Sequence, residues 1–140
     1  MNKMRFTLLF MVFALAYFNY DVRAQQSSNF TPQAKTVAYV DEVYGTFTQY
    51  KTPSHMQEYE ATLQRITIEH LAYSGTETYT LLSTVPLKNK YNNALQYDNG
   101  SNFNASTFNP LKYLLNFYPN QIQIYRIDQT DYIVKIQPQQ

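Results

Sequence analysis

The stretch Gln121–Ile136, QIQIYRIDQTDYIVKI, holds two short runs rich in strand formers, Gln121–Ile127 and Tyr132–Ile136. Between them lies Asp128-Gln129-Thr130-Asp131. A four-residue connection with Asp at both ends reads as a β-hairpin turn, because Asp side chains bond nearby backbone N–H groups. Ile122 and Ile124 alternate with Gln, and Tyr132, Val134 and Ile136 alternate with less apolar neighbours apart from Ile133. That alternation predicts an antiparallel sheet with those residues in the core and one wet face. Arg126 and Asp128 stand where they can pair around the turn, an exposed pair worth about 0–1 kcal/mol.

Upstream, Tyr79–Leu87 (YTLLSTVPL) reads as a strand, with Pro86 marking an edge or an end. Leu111–Tyr118 (LKYLLNFY) is short, aromatic and stopped by Pro119-Asn120. Asn109 before Pro110 is pushed extended, after which Leu111 and Tyr113 share a face. Between these segments, residues 89–109 carry seven Asn together with Gly100, Ser101 and Ser106. Asn99-Gly100 is a turn dipeptide. So long a connection in a small domain is generally functional or disordered, and the rings of Tyr91, Tyr97, Phe103 and Phe108 argue against disorder.

The texture before Ser74-Gly75 is helical. Thr31-Pro32 has the form of a helix entry, and Val37, Val40, Tyr44 and Phe47 then recur on one helical face. Gly45 and the β-branched residues leave a strand starting at Thr36–Val40 as the alternative. Thr52-Pro53-Ser54 is a second entry, with Ser54 and Gln57 at capping-box spacing. Met56, Tyr59, Leu63 and Ile66 form its apolar stripe, so an amphipathic helix of about four to five turns is expected, ending before Ser74-Gly75. Helices first and strands after predict an α+β fold: one or two N-terminal amphipathic helices packed on a small antiparallel sheet that ends in a C-terminal hairpin.

Residues 1–24 read as a cleaved signal peptide. Lys3 and Arg5 precede the apolar run Phe6–Phe18, broken only by Thr7, and a polar tail ends at Ala24. Thirteen helical residues rise about 20 Å, short of the ~30 Å hydrocarbon core, so no permanent membrane span is expected after leader cleavage. Residues 25–30 are polar and read as a flexible start, and 31–140 as a single domain. The protein is expected to be exported, to a periplasmic or extracellular destination.

Composition narrows the function classes. The 140 residues hold 11 Lys+Arg and 10 Asp+Glu, no Cys, no Trp, 14 Tyr and three Gly. Without the leader the balance is 8 basic to 9 acidic. This charge lacks the basic face that a nucleic-acid partner demands. The lack of Cys excludes disulfides, thiolate metal sites and thiol nucleophiles, and so few Gly leave no phosphate-cradling loop.

His55 and His70 stand about 22 Å apart if one helix carries both, too far to share a ligand. His55 with Glu58 has i, i+3 spacing, but two ligands are too few for a metal; exposed helix positions account for both histidines. Asp41-Glu42 and Glu58/Glu60 do not face one another on a helix. Asp128 and Asp131 are explained as turn formers rather than calcium ligands. No nucleophile elbow is present. Neither a cofactor nor a metal is implied.

Rings interleaved with Asn and Ser are the mixture that binding loops use, which makes Tyr91, Tyr97, Phe103 and Phe108 the candidate ligand-binding residues. Packing of these rings onto the body is the competing expectation. Asn29, Asn99 and Asn104 also match the glycosylation acceptor pattern, which a chain so rich in Asn meets by chance.

One resemblance adds to this. Leu81-Leu82-Ser83 with Pro86-Leu87, Lys90-Tyr91-Asn92, Thr107-Phe108-Asn109-Pro110-Leu111-Lys112-Tyr113 and Tyr125–Ile133 carry it. On these residues the C-terminal half is similar to small signal-peptide-bearing exported bacterial proteins of the Bacteroidota style, whose function is uncharacterised. The resemblance implies export and a C-terminal hairpin, and brings no activity or ligand.

The expected function is a non-enzymatic binding or interaction protein with a protein or glycan partner. A structural subunit that assembles by strand addition, through Tyr132–Ile136 or Tyr79–Leu87, is the first alternative. A small hydrolase-like enzyme whose polar groups converge only in the fold is the second.

Overall fold

The computed structural model describes residues 31–140, so the expected leader (1–24) and the polar start (25–30) lie outside the described residues. Helices α1 (Ala34–Tyr44) and α2 (Pro53–Leu63) are followed by strands β1 (Ile66–His70), β2 (Thr80–Leu81), β3 (Gln123–Arg126) and β4 (Tyr132–Ile136). Short 3-10 turns sit at Thr48–Tyr50, Leu82–Thr84 and Pro110–Lys112. The architecture is α+β, with the helices packed against a four-stranded sheet and a C-terminal β3–β4 hairpin. Among the described residues no helix is long and apolar enough to cross a membrane.

α1 forms where the spacing predicted a helix, but on a rotated face. Thr36, Tyr39, Val40, Val43 and Tyr44 are buried, an i, i+3, i+4, i+7, i+8 stripe. Val37 and Phe47 are instead 37% and 41% exposed. The N-cap is Gln33 rather than Thr31, and Gly45 closes the helix at φ 51°, its N–H donating to Asp41 O at 2.9 Å.

α2 starts at the expected Thr-Pro step, with Thr52 as N-cap and Pro53 in the first turn. The capping partner is the His55 N–H, not a Ser54/Gln57 box. The helix also ends at Leu63, well short of the expected Ser74-Gly75 boundary. Ile66-Thr67-Ile68 alternates, and both isoleucines pack on the core as β1, so sheet burial outweighs the continuing helical stripe. His70 is therefore a strand residue, edge-on to Tyr132 at 5.1 Å between ring centroids.

The sheet order is β1-β4-β3-β2. β1/β4 and β3/β4 are antiparallel, with Val134 opposite both Ile68 and Tyr125. β2 runs parallel to β3, with Leu81 opposite Arg126, so the sheet is mixed rather than antiparallel throughout. The expected hairpin lies where its sequence placed it, but the β4 face that carries Ile133 and the partly exposed Lys135 is only half wet. As the strand between β1 and β3, β4 buries Ile133, Val134 and Ile136 alike. Its ladder is occupied on both sides, which closes it to strand addition; the sheet's edges are β1 and β2. Ile122, expected in the core, is 49% exposed and precedes β3.

Tyr79–Leu87 is a strand for only two residues. Asp128 accepts from the Ser83 N–H at 3.0 Å and from Ser83 Oγ at 2.6 Å, drawing Leu82–Thr84 into a 3-10 turn. Leu111–Tyr118 likewise opens in a 3-10 turn, because Asn109 Oδ1 accepts from the Leu111 N–H at 3.0 Å. Beyond it Tyr113 bridges Leu87 antiparallel. The core is built from Leu82, Phe108, Tyr113, Ile127, Val134 and Ile136 with their neighbours.

Candidate functional site

The Asn-rich segment is ordered by its own side chains. Asn92, Asn99 and Asn104 each turn the side-chain oxygen onto the N–H two residues ahead, at Ala94, Ser101 and Ser106. Asn92 Nδ2 donates to Glu42 O at 2.8 Å, and Asn109 Nδ2 to Tyr39 O and Glu42 Oε2, both at 2.9 Å, which ties the segment to α1. Asp98 anchors its middle. Lys112 Nζ lies 2.8 Å and Tyr113 Oη 2.7 Å from Asp98 Oδ2, and the side chains of Lys112 and Asp98 are only 9% and 12% exposed. Burial, and then this carboxylate, raise the Tyr113 hydroxyl's pKa, which the Asp98 N–H donated to the same oxygen only partly opposes.

The four candidate rings do not converge. Phe108 is 2% exposed and belongs to the core. Phe103 is half-buried, 5.9 Å from Phe108 and 5.1 Å from Tyr132 between centroids. Tyr97, 39% exposed, leans on Tyr113 at 6.0 Å. Tyr91 lies elsewhere, in a cluster with Tyr44, Phe47 and Tyr50, its hydroxyl 3.0 Å from that of Tyr50. Each ring packs on the body, and only Tyr97 presents a large exposed surface.

The histidines are also apart, His55 on α2 with Nδ1 2.9 Å from Thr52 Oγ1 and His70 on β1. One cavity, about 200 Å³, lies where α1, α2 and β1 meet; Tyr39 lines it and its buried hydroxyl has no partner.

The larger cavity, about 570 Å³, opens where the segment between β1 and β2 meets the hairpin turn, and Arg126 lines it. Arg126 does not pair with Asp128, whose carboxylate is taken by Ser83. Val134 belongs to the core cluster, so alternation puts Ile133, and Arg126 opposite it, on the other sheet face. Arg126 is 7% exposed there, with its guanidinium carbon 5.2 Å from the Tyr73 ring centre and 4.9 Å from that of Tyr79. Nη1 donates to Leu71 O at 3.2 Å and Thr130 O at 3.3 Å, which fixes the plane. Nε and Nη2 are buried and have no partner.

Those two nitrogens form one edge of the guanidinium, with parallel N–H groups that match the two oxygens of a carboxylate or phosphate. Among the described residues no carboxylate oxygen comes within 4.0 Å of them. Glu77 and Asp131 line the same cavity, and Glu77 Oε2 is also buried without a partner. An uncompensated buried cation is costly, and two rings supply only part of what a counter-ion would.

In the sequence, Arg126 and Asp128 are near neighbours in a turn and stand as each other's partners, which hides this site. The available signal was a lone Arg between Tyr125 and Ile127 in a strand, a position where an unpaired charge has to be buried or turned out. No family model, no curated protein and no solved structure matches the chain.

Proposed function

We propose that the protein is a small exported binding protein whose ligand presents an oxyanion to Arg126. The observation that carries the reading is the free Nε/Nη2 edge of a buried guanidinium already oriented by two backbone carbonyls. A receptor group held in place before binding loses little entropy on capture, and low local dielectric strengthens the charge-assisted bonds. The proposed role is recognition, with no bond making, since the cavity's charged groups match those of an oxyanion-binding site. Export rests on the leader pattern of residues 1–24 and on the resemblance of the C-terminal half.

The direct test follows the Arg126 Nε–H resonance of ¹⁵N-labelled protein during titration with acetate, phosphate and sulfate. A saturable shift with at least one of them, absent in Arg126→Gln, is expected; a resonance indifferent to all three overturns the reading. N-terminal sequencing of the protein from its host's envelope or medium is expected to start at Gln25, and a chain starting at Met1 overturns export.

A further inference from the structure

The charges in the Arg126 cavity specify more than an anion. Arg126, Glu77 and Asp131 line it, two acids against one base. A simple anion answers Arg126 but leaves Glu77 Oε2 unmet and adds a third negative charge to the same space. A simple cation answers Glu77 and leaves Nε and Nη2 of Arg126 empty. A peptide terminus brings one of the two charges and not the other. A ligand that satisfies both orphan groups carries both an oxyanion and a hydrogen-bonding cation.

The rest of the wall sets an apolar side against the polar Thr78, Gln129 and Thr130. Tyr73, Tyr79 and Leu81 line the cavity, and Tyr73 and Leu81 are 57% and 44% exposed. Its volume of about 570 Å³ lies within the range of small-ligand sites. Tyr73 and Tyr79 both cover the guanidinium, and Tyr73, 57% exposed, is the ring free to swing outward for entry. Among the described residues, the chain from Ala72 to Tyr79 makes no backbone hydrogen bond outside the strand ladders. Gly75, at φ 83°, gives this chain its turn. Displacing Tyr73 therefore breaks ring contacts rather than a ladder.

We propose that the cavity binds a free α-amino acid with an apolar side chain. The carboxylate sits on Nε and Nη2 of Arg126, the ammonium on the Glu77 carboxylate, and the side chain against Tyr73, Tyr79 and Leu81. This rests on the oxyanion reading above and adds the second charge to it.

The test is calorimetric titration of the protein with L-leucine and L-phenylalanine, set beside N-acetyl-leucine, which lacks the ammonium, and leucinamide, which lacks the carboxylate. At least one free amino acid is expected to bind tenfold or more tightly than either analogue, since each analogue strands one buried charge. Glu77→Gln, a change at a half-buried position outside the core, is expected to weaken the amino acid at least tenfold while leaving N-acetyl-leucine unchanged or tighter. Arg126→Gln, with its fold checked by circular dichroism, is expected to abolish both.

N-acetyl-leucine binding as well as leucine overturns the zwitterion and leaves the oxyanion reading standing. Amino-acid binding that ignores Glu77→Gln does the same. If no probe binds while acetate or phosphate still shifts the Arg126 Nε–H resonance, the amino acid alone falls. If that resonance is also indifferent, both readings fall.

Discussion

Residues 89–109 and residues 71–79 are both irregular chain joining regular elements, and they are built in opposite ways. The longer segment is braced throughout: Asn side chains close its turns, Asp98 takes Lys112 and Tyr113, and Phe108 is core. The shorter one holds Arg126 between two rings and leaves Glu77 Oε2, Nε and Nη2 without partners. Length and Asn content drew attention to the first, whereas the unused hydrogen-bonding capacity lies in the second. In a small domain, unspent buried polarity is the stronger pointer to a ligand than loop length.

This contrast predicts that changes in 89–109 cost far more stability than changes in 71–79. The largest effect belongs to Asp98→Asn, which leaves Lys112 buried with an uncompensated charge. It is expected to cost about 3–5 kcal/mol in urea unfolding, and a cost within error of zero would show that the segment is not braced through this pair. Gly100→Ala comes next. An added Cβ would stand 2.5 Å from Gln129 O in the hairpin turn, where Gln129 itself holds φ 58°. About 1–3 kcal/mol is expected from forcing the two backbones apart, and an unchanged midpoint would mean that the contact yields freely.

Tyr73→Ala is expected to cost only about 0.5–1 kcal/mol, the worth of a partly exposed cation–π contact. A loss as large as that of Asp98→Asn would make 71–79 structural and erase the distinction. The smallest effect concerns Glu69, whose carboxyl is held below its ordinary range chiefly by the hydrogen bond from Lys135. Its contribution is present above the ordinary Glu value of about 4.3 and fades as pH falls through the lowered one. Glu69→Gln should therefore lose a little stability at neutral pH and show a shallower acid decline in thermal midpoint, while leaving the contrast between the two segments untouched.

Legibility followed the range of the interactions. The α+β class, α1, the start of α2 and β4 were readable because periodicity and the Thr52-Pro53 entry act within a few residues. The end of α2 was not, since Ile66 and Ile68 continue a helical stripe and are claimed by β4 only in the folded sheet. Two residues of β2 pair parallel with a strand far along the chain, and no local pattern announces that. The same holds for the cavity: Asp128 is two residues from Arg126 but bonds Ser83, and the rings on Arg126 come from the other end of the sheet sequence. Phe108, a candidate binding ring that could equally pin the segment to the body, lies in the core, because apolar content within a polar stretch signals burial as readily as contact.

The parallel pairing of β2 with β3 bears on how the molecule assembles. The β3–β4 hairpin is local, and such units form in about 1–10 μs. β2 can join only after the whole Asn-rich segment has closed behind it, and loop closure has to be met before the two bridging residues return anything. The cavity wall, contributed by Leu81 and the chain just before β2, is thus among the last parts to be completed. A ligand held there would act as a clasp on the final step, slowing the release of β2 far more than it speeds the hairpin, so occupancy would register in the unfolding rate rather than the folding rate.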